Sequence, residues 1–144
     1  TENLKKEAEK RNVSSDRLFF GKRLPFKEHM ERYKICDLFL DTFNYNGHTT
    51  TSDALWAGLP VLTKQGNSFS SRVSSSFLNC LGINELITKS KKDYEEKALF
   101  FSKNNEELLE IKKKLRKSNE KAPFFNSKLF TNNLEKIFLD LVKN

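Results

Sequence analysis

The sequence predicts an α/β fold, a partial Rossmann-like parallel sheet with flanking helices and a helical C-terminal tail. Short apolar runs of strand length lie at residues 17–20, 37–41 and 60–63, and segments of helical composition separate them. Beyond residue 70 the patterns are helical throughout. Because short apolar strands that alternate with helices are typical of a parallel sheet covered on both faces, these observations together indicate the fold class.

The first elements follow from local composition. A charged helix is expected over residues 4–11, and a Ser-Ser-Asp turn separates it from the first strand. The next helix, over 27–35, contains Met30 and Tyr33 as candidate core contacts. The strand at 37–41 is apolar in its centre and bounded by aspartates, as expected of a short buried strand.

The later elements are delimited by turn residues. After a loop at 42–47, a helix begins at Thr49 and stops at Gly58, since glycine commonly follows the last residue of a helix. The third strand, 60–63, precedes an amphipathic helix over 70–81. Three more helices are expected over residues 93–101, 106–116 and 129–142.

The number of strands bears on the extent of the domain. Three strands are few for a sheet of this kind, which usually has about four to six. The first residue is also Thr1 rather than Met. We therefore expect residues 1–144 to form one N-terminally truncated domain, whose missing strands precede Thr1.

Composition excludes several classes of protein. The 13 phenylalanines are too many for a disordered tail, and no apolar run approaches the roughly 20 residues of a membrane span. The two cysteines, Cys36 and Cys80, fit neither a disulfide framework nor a metal-ligand spacing. We therefore expect buried free thiols, no metal site and a cytoplasmic location.

The charge balance is less specific. A net charge of +7 is compatible with a phosphate-bearing partner, but a lysine-rich solvated surface explains the same number. Nucleic acid is not expected as a partner, because no recognisable motif or aromatic platform accompanies the basic residues.

The most informative stretch is residues 41–53, which follow a strand and open a helix. Ligands of open parallel sheets bind beyond the carboxyl ends of the strands, and a helix N-terminus there offers unpaired N–H groups to an anion. Gly47 allows a close approach of the backbone or a positive φ. The candidate hydrogen-bond donors to a phosphate are the His48 ring and the hydroxyls of Thr49, Thr50 and Thr51.

Asp53 lies one turn into the same helix, where a carboxylate near a phosphate site can accept hydrogen bonds from ribose hydroxyls. A purely structural explanation competes with this one, because Thr50-x-x-Asp53 also resembles a capping box. Three consecutive threonines after Gly-His exceed what capping requires, which favours the phosphate interpretation.

A second cluster consists of His29 and Arg32 on the preceding helix. Residues three apart share a helix face, and a guanidinium fork and a flat imidazole ring suit recognition of a nucleobase. Two solvated surface residues would have the same spacing. Both histidines of the chain nevertheless fall near the carboxyl ends of predicted strands, so the two clusters support each other.

These motifs together resemble the C-terminal part of the O-linked N-acetylglucosamine transferase family. The resemblance covers nearly the whole chain in a consistent order. Its motifs are Asp-Leu-Phe-Leu-Asp-Thr at 37–42, Asn-Gly-His-Thr-Thr at 46–50, Asp-x-Leu-Trp-Ala-Gly-x-Pro at 53–60, Ser-Arg-Val at 71–73, Leu-Gly at 81–82, Glu-Leu-Ile at 85–87 and Phe-Asn-x-Lys at 125–128.

The resemblance implies the C-terminal, nucleotide-sugar-binding domain of a GT-B glycosyltransferase. Members of this family transfer a sugar to protein Ser or Thr hydroxyls with inversion and without a metal or another cofactor. The implied roles are pyrophosphate binding by His48, Thr49 and Thr50, ribose binding by Asp53, and base binding by His29, Arg32 and the backbone near Leu24. The catalytic residues are expected in an upstream catalytic domain that follows helical repeats in the same polypeptide, so this chain alone should be inactive.

Two departures leave the donor open. Phe26 stands where the animal enzyme has a lysine that contacts the donor, and Tyr45 stands where it has a small cysteine near the N-acetyl group. A tyrosine in this part of the donor-sugar pocket resembles bacterial relatives and the related plant protein O-fucosyltransferase, which has Thr at the place of His48. We expect a UDP-GlcNAc donor. The alternatives are an enzyme that uses GDP-fucose and a non-catalytic nucleotide-binding remnant.

Overall fold

The computed structural model describes residues 1–143, which contain a three-stranded parallel sheet in the order β1-β2-β3. The strands are β1 (Phe39–Leu40), β2 (Val61–Lys64) and β3 (Ile87–Thr88). The first half of β2 pairs with β1, with Phe39 opposite Val61, and its second half pairs with β3, with Thr63 opposite Ile87. Both neighbours run parallel to β2, so the carboxyl ends of all three strands lie on one edge.

Seven α-helices surround this sheet in the described part of the chain, and four short 3₁₀ turns connect them. The helices are α1 (Glu2–Glu9), α2 (Phe26–Tyr33), α3 (Thr49–Trp56), α4 (Val73–Cys80), α5 (Lys91–Lys103), α6 (Asn105–Lys121) and α7 (Ser127–Val142). The 3₁₀ turns are Ser15–Arg17, Phe69–Ser71, Asn84–Leu86 and Pro123–Phe125. The predicted fold class, a parallel sheet with flanking helices and a helical tail, is confirmed.

The prediction of a strand at 17–20 is wrong. Arg17 is the last residue of the 3₁₀ turn Ser15–Arg17, the residues after it form no strand, and the Phe19 side chain is 92% exposed. An apolar run becomes a strand only where a neighbouring backbone supplies its hydrogen bonds, and this segment has no such neighbour in the described structure. The third strand is instead β3, whose two residues are too few to give a periodic signal.

The core is centred on β2, where Val61 and Leu62 are fully buried. Helices α3, α4 and α5 pack against this strand, because each presents apolar side chains on one face. The predicted core contacts on α2 are also confirmed, since Tyr33 is buried and Met30 packs against the cluster. The other fully buried apolar side chains are Ala54, Leu55, Leu78, Ile83, Leu86 and Leu115.

The C-terminal helices differ in how they pack. The α5 helix is capped by the Ser90 hydroxyl, which accepts from the Asp93 backbone N–H at 3.0 Å. The α6 helix is longer than the predicted 106–116, and its buried residues Leu108, Ile111 and Leu115 have the spacing of one helix face. The α7 helix buries none of its described side chains and exposes a row of large apolar ones.

Both cysteines are free thiols, as predicted, but the expectation that they are buried is wrong. Cys36 follows the end of α2 and Cys80 is the last residue of α4, and both are exposed. Helix ends of this kind leave the core for the surface loops. No helix formed by residues 1–143 is long and apolar enough to cross a membrane.

Candidate functional site

The loop between β1 and α3 is organised by the carboxylate of Asp41, which is only 3% exposed. Its Oδ1 accepts hydrogen bonds from the backbone N–H groups of Thr42, at 2.9 Å, and Gly47, at 2.7 Å. Its Oδ2 accepts from the Thr63 hydroxyl at 2.7 Å. One buried side chain therefore joins both ends of the loop to the central strand.

Tyr94 of α5 contacts the backbone of the same residue. Its hydroxyl donates to the Asp41 backbone carbonyl at 2.9 Å. Burial of the phenol, and secondarily the negative charge of Asp41, raise the pKa of Tyr94 to about 12. Asp41 was not predicted as a site residue, although an aspartate directly after an apolar strand is a usable signal.

Gly47 is where the loop meets the helix, and a side chain does not fit there. A Cβ atom at this position would lie 2.6 Å from the Oγ1 atoms of both Thr50 and Thr51. The predicted close approach is confirmed, whereas the alternative of a positive φ is not, since Gly47 is not among the positive-φ residues.

Helix α4 holds the start of α3 from the other side. The Ser74 hydroxyl donates to the Gly47 carbonyl at 3.1 Å and lies 2.9 Å from the Thr51 hydroxyl. Ser74 and its neighbour Ser75 are both buried. The Thr51 hydroxyl is committed to this contact.

The N-terminus of α3 is open. His48 is the N-cap residue, and no side chain caps the first turn. The helix begins at Thr49, so Thr50 lies inside the first turn and the capping-box alternative is wrong. The N–H groups of a first turn have no acceptor within their own helix. Because Thr49 and Thr50 are exposed, these donors, the two hydroxyls and the His48 side chain lie at one helix end, as predicted.

The His48 ring is fixed by two aromatic neighbours. The Tyr45 ring stacks on it, with centroids 4.8 Å apart and planes inclined by 13°, and the Phe69 ring meets it edge-on at 6.0 Å. The His48 Nε2 atom is buried without a hydrogen-bond partner in the described chain. His48 and Phe69 border a cavity of about 560 Å³ that also contacts Arg72 and Phe77. Tyr45 itself is 64% exposed.

Tyr33 connects the predicted base-binding residues, His29 and Arg32, to helix α3. The Arg32 guanidinium donates to His29 Nδ1 at 2.8 Å. Because a guanidinium only donates, Nδ1 is the acceptor, and the neutral ring carries its proton on Nε2, which lies 3.1 Å from the Tyr33 hydroxyl. The Tyr33 hydroxyl in turn reaches the Thr50 carbonyl at 3.5 Å.

Asp53 lies close to the same contact. Burial raises the pKa of Tyr33, and the charge of Asp53 adds to that effect. The structure thus brings His29, Arg32 and Asp53 to the junction of α2 with α3. Sequence reasoning treated Tyr33 only as a core residue, although its position four residues after His29 places both on one helix face.

The segment before α2 is less closely integrated. Arg32 donates to the Lys22 carbonyl at 3.3 Å, which attaches this segment to the base-binding pair. Leu24, two residues further on, is 37% exposed. Phe26, which stands where the animal enzyme has a lysine, is the first residue of α2 and points into solvent with most of its surface.

The site as a whole consists of hydrogen-bond donors, two imidazoles, one guanidinium and exposed aromatic rings around an uncapped helix end. Among residues 1–143, no group of three or more His, Cys, Asp and Glu side chains is arranged to hold a metal ion. The arrangement suits the binding of a phosphate-bearing ligand with an aromatic base.

Comparisons with known proteins give matches over nearly the whole chain. The family model described as Glycosyl transferase family 41 matches residues 1–134. The UDP-N-acetylglucosamine–peptide N-acetylglucosaminyltransferase of Caenorhabditis elegans is 31% identical over 134 residues, which are 93% of this chain and 12% of that protein. The probable enzyme of the same name in Arabidopsis thaliana, SEC, is 34% identical over 90% of this chain and 13% of its own length.

A solved structure is similar over nearly the whole chain. A mutant of the Thermobaculum terrenum O-GlcNAc transferase superposes with a TM-score of 0.87 at 30% identity, covering 95% of this chain and 26% of that one. The chain therefore spans about an eighth of the length of the curated relatives it matches.

Proposed function

The chain belongs to glycosyl transferase family 41, and we propose that it forms the donor-binding part of a protein O-glycosyltransferase. The donor is UDP-GlcNAc, and the acceptors are Ser and Thr hydroxyls of proteins. The transfer inverts the sugar and uses no metal. The chain spans about an eighth of the length of the curated relatives, and the proposal includes an upstream catalytic domain and helical repeats that complete the enzyme.

The observation that carries this proposal is the uncapped N-terminus of α3 behind His48. When the sugar leaves, negative charge develops on the diphosphate and must be stabilised by groups already in position. The first-turn N–H groups, the helix dipole and the hydroxyls of Thr49 and Thr50 supply this stabilisation. His48 adds an imidazole whose Nε2 has no protein partner.

The remaining donor contacts follow from the junction of α2 with α3. The Asp53 carboxylate accepts hydrogen bonds from the ribose hydroxyls, and His29 and Arg32 hold the uracil together with the backbone near Leu24. The hydrogen bond from Arg32 to His29 fixes the imidazole plane against which a base can stack. Tyr33 then links base recognition to the pyrophosphate helix through the Thr50 carbonyl.

The donor sugar lies next to Tyr45, whose ring stacks on His48. This ring occupies the position of a small cysteine in the animal enzyme, so it affects which sugar is accepted. The group that activates the acceptor hydroxyl is expected upstream, and the chain alone should not catalyse transfer. The two free thiols fit a reducing compartment, and a cytoplasmic location stays a prediction.

Calorimetric titration of the chain with UDP and with GDP tests the proposal. We expect UDP to bind, and His48→Ala and Asp53→Asn each to weaken binding about tenfold, the loss of one strong polar contact. Asp16→Asn, which removes an exposed aspartate outside the site, is the matched control and should bind normally.

Two results would change the proposal. Preferential binding of GDP would favour the GDP-fucose alternative. A folded chain that binds neither nucleotide, tested alone and again joined to its upstream domain, would show that the site is not a donor site and leave the remnant alternative.

A further inference from the structure

A second cavity opens at the carboxyl ends of β2 and β3. It has a volume of about 500 Å³, and its lining includes Asn44, Ser68, Lys64 and Lys89. Lys64 is the last residue of β2, and Lys89 directly follows β3. The cavity walls are polar, and no carboxylate lines them. This cavity therefore combines positive charge with hydrogen-bond donors.

Lys64 and Lys89 line this opening, and Lys91 shares a ring contact with Lys64. The Nζ atoms of Lys64 and Lys91 lie 5.6 and 6.0 Å from the centroid of the same ring, that of Phe43, and the Lys89 amine donates to the Gln65 side-chain carbonyl. None of the three makes an ion pair within residues 1–143. Six other lysines do, namely Lys10, Lys34, Lys92, Lys112, Lys113 and Lys114.

Neither lysine that lines the cavity has an acidic partner among residues 1–143, and no Asp or Glu is among the lining residues. A carboxylate of a ligand can therefore pair with Lys64 or Lys89. The cavity thus has the charge and the donors to bind an acidic group and supplies no such group itself.

The position of the cavity relates it to the proposed donor site. Gln65 lines both this cavity and the one that His48 and Phe69 border, so the two openings are neighbours on the same edge of the sheet. An acceptor hydroxyl must approach the donor sugar near His48. An extended polypeptide advances about 3.3 Å per residue, so residues a few positions from the acceptor reach the second cavity.

We propose that Lys64 and Lys89 bind acidic residues that flank the acceptor Ser or Thr of the protein substrate. This inference rests on the proposed function and adds a substrate class to it, namely acceptor segments rich in Asp and Glu. A polypeptide suits the cavity better than a second nucleotide, because no aromatic ring on which a base could stack is among the residues that line it.

Fluorescence anisotropy with labelled peptides tests the proposal on the full chain. One short peptide has a central Ser between Asp and Glu residues, and its partner peptide replaces those acids by Asn and Gln. We expect the acidic peptide to bind about tenfold more tightly, and added salt to reduce the difference, because exposed charge contacts are screened.

Charge-removing variants locate the contact. Lys64→Gln combined with Lys89→Gln should reduce the preference for the acidic peptide about tenfold. The control combines Lys10→Gln with Lys113→Gln, which removes the same charge from lysines that are paired elsewhere. Lys64 is half-buried and the other three lysines are exposed, so equal melting temperatures are measured to verify that each protein is folded.

The outcomes separate this inference from the proposed function. Equal binding of both peptides, or an equal loss in the control pair, overturns the inference even if UDP binds as expected. Two other results would assign the lysines to the donor diphosphate and so overturn the inference. One is weaker UDP binding by the Lys64–Lys89 variant. The other is displacement of the acidic peptide by inorganic phosphate and also by UDP. If UDP binding is lost in the His48 variant and kept in the Lys64–Lys89 variant, this result supports both the donor site at His48 and a separate role for the two lysines.

Discussion

The Asp41 carboxylate accepts a 2.7 Å hydrogen bond from the backbone N–H of Gly47, six residues further along the chain. This contact closes the loop between β1 and α3 and directs the chain into the helix whose N-terminus faces the candidate site. The second carboxylate oxygen is held by Thr63, so the loop is attached to the middle of the sheet. The position of His48 is therefore set by a buried charge outside the donor site itself.

Asp41→Asn tests this dependence. The amide has nearly the same shape, but one carboxylate oxygen is replaced by an NH₂ group, which cannot accept a hydrogen bond. Either the Gly47 N–H or the Thr63 hydroxyl therefore loses its acceptor. We expect a loss of about 1–3 kcal/mol in the free energy of unfolding, measured by urea denaturation. Asp37→Asn is the control, because Asp37 is exposed on the surface. A wild-type stability for the Asp41 variant would contradict the proposed role.

The Tyr94 phenol makes stability depend on alkaline pH. Its pKa is raised from about 10 to about 12 by burial and by the charge of Asp41. Below pH 10 the phenol is protonated in both states, and its stabilising contribution is fully present. Between about pH 10 and 12 the unfolded chain releases the proton while the folded chain keeps it, so stability falls as pH rises.

Denaturation midpoints across this pH interval check the Tyr94 prediction. We expect Tyr94→Phe to be less stable at neutral pH, since the hydrogen bond to the Asp41 carbonyl is lost, and to show a smaller fall between pH 10 and 12. Tyr45→Phe, which removes an exposed hydroxyl, should keep the wild-type pH dependence. Identical slopes for all three proteins would refute the assignment.

The sequence predicted those features that depend on local patterns. The helices α2 and α3, the strand before residue 64 and the position of His48 at a strand-to-helix junction follow from apolar spacing and from Gly47 and Gly58. The clustering of His29 with Asp53 depends on the packing of α2 on α3 and not on the strand expected before His29, which does not form.

Tertiary contacts account for what sequence reasoning missed. Asp41 pairs with Thr63 and Ser74 with Thr51 across more than 20 residues, and neither pair has a local signature. The two residues of β3 become a strand because β2 offers free backbone groups beside them. The apolar run at 17–20 has no such partner, so its composition alone gave a wrong prediction.

Gly47→Ala gives the most direct link between loop geometry and ligand binding. The added Cβ would stand 2.6 Å from the hydroxyl oxygens of Thr50 and Thr51, well inside van der Waals contact. Thr50 is exposed, and its side chain can turn away. Thr51 is buried and hydrogen-bonded to Ser74, so the start of α3 must shift.

We expect Gly47→Ala to cost about 1–3 kcal/mol of stability, as overpacking usually does, and to abolish measurable UDP binding. Ser52→Ala, in the same helical turn, is the control and should bind as the wild type. Calorimetry and urea denaturation on the two variants measure both effects. Wild-type affinity in Gly47→Ala would mean that the α3 N-terminus is not where the diphosphate binds.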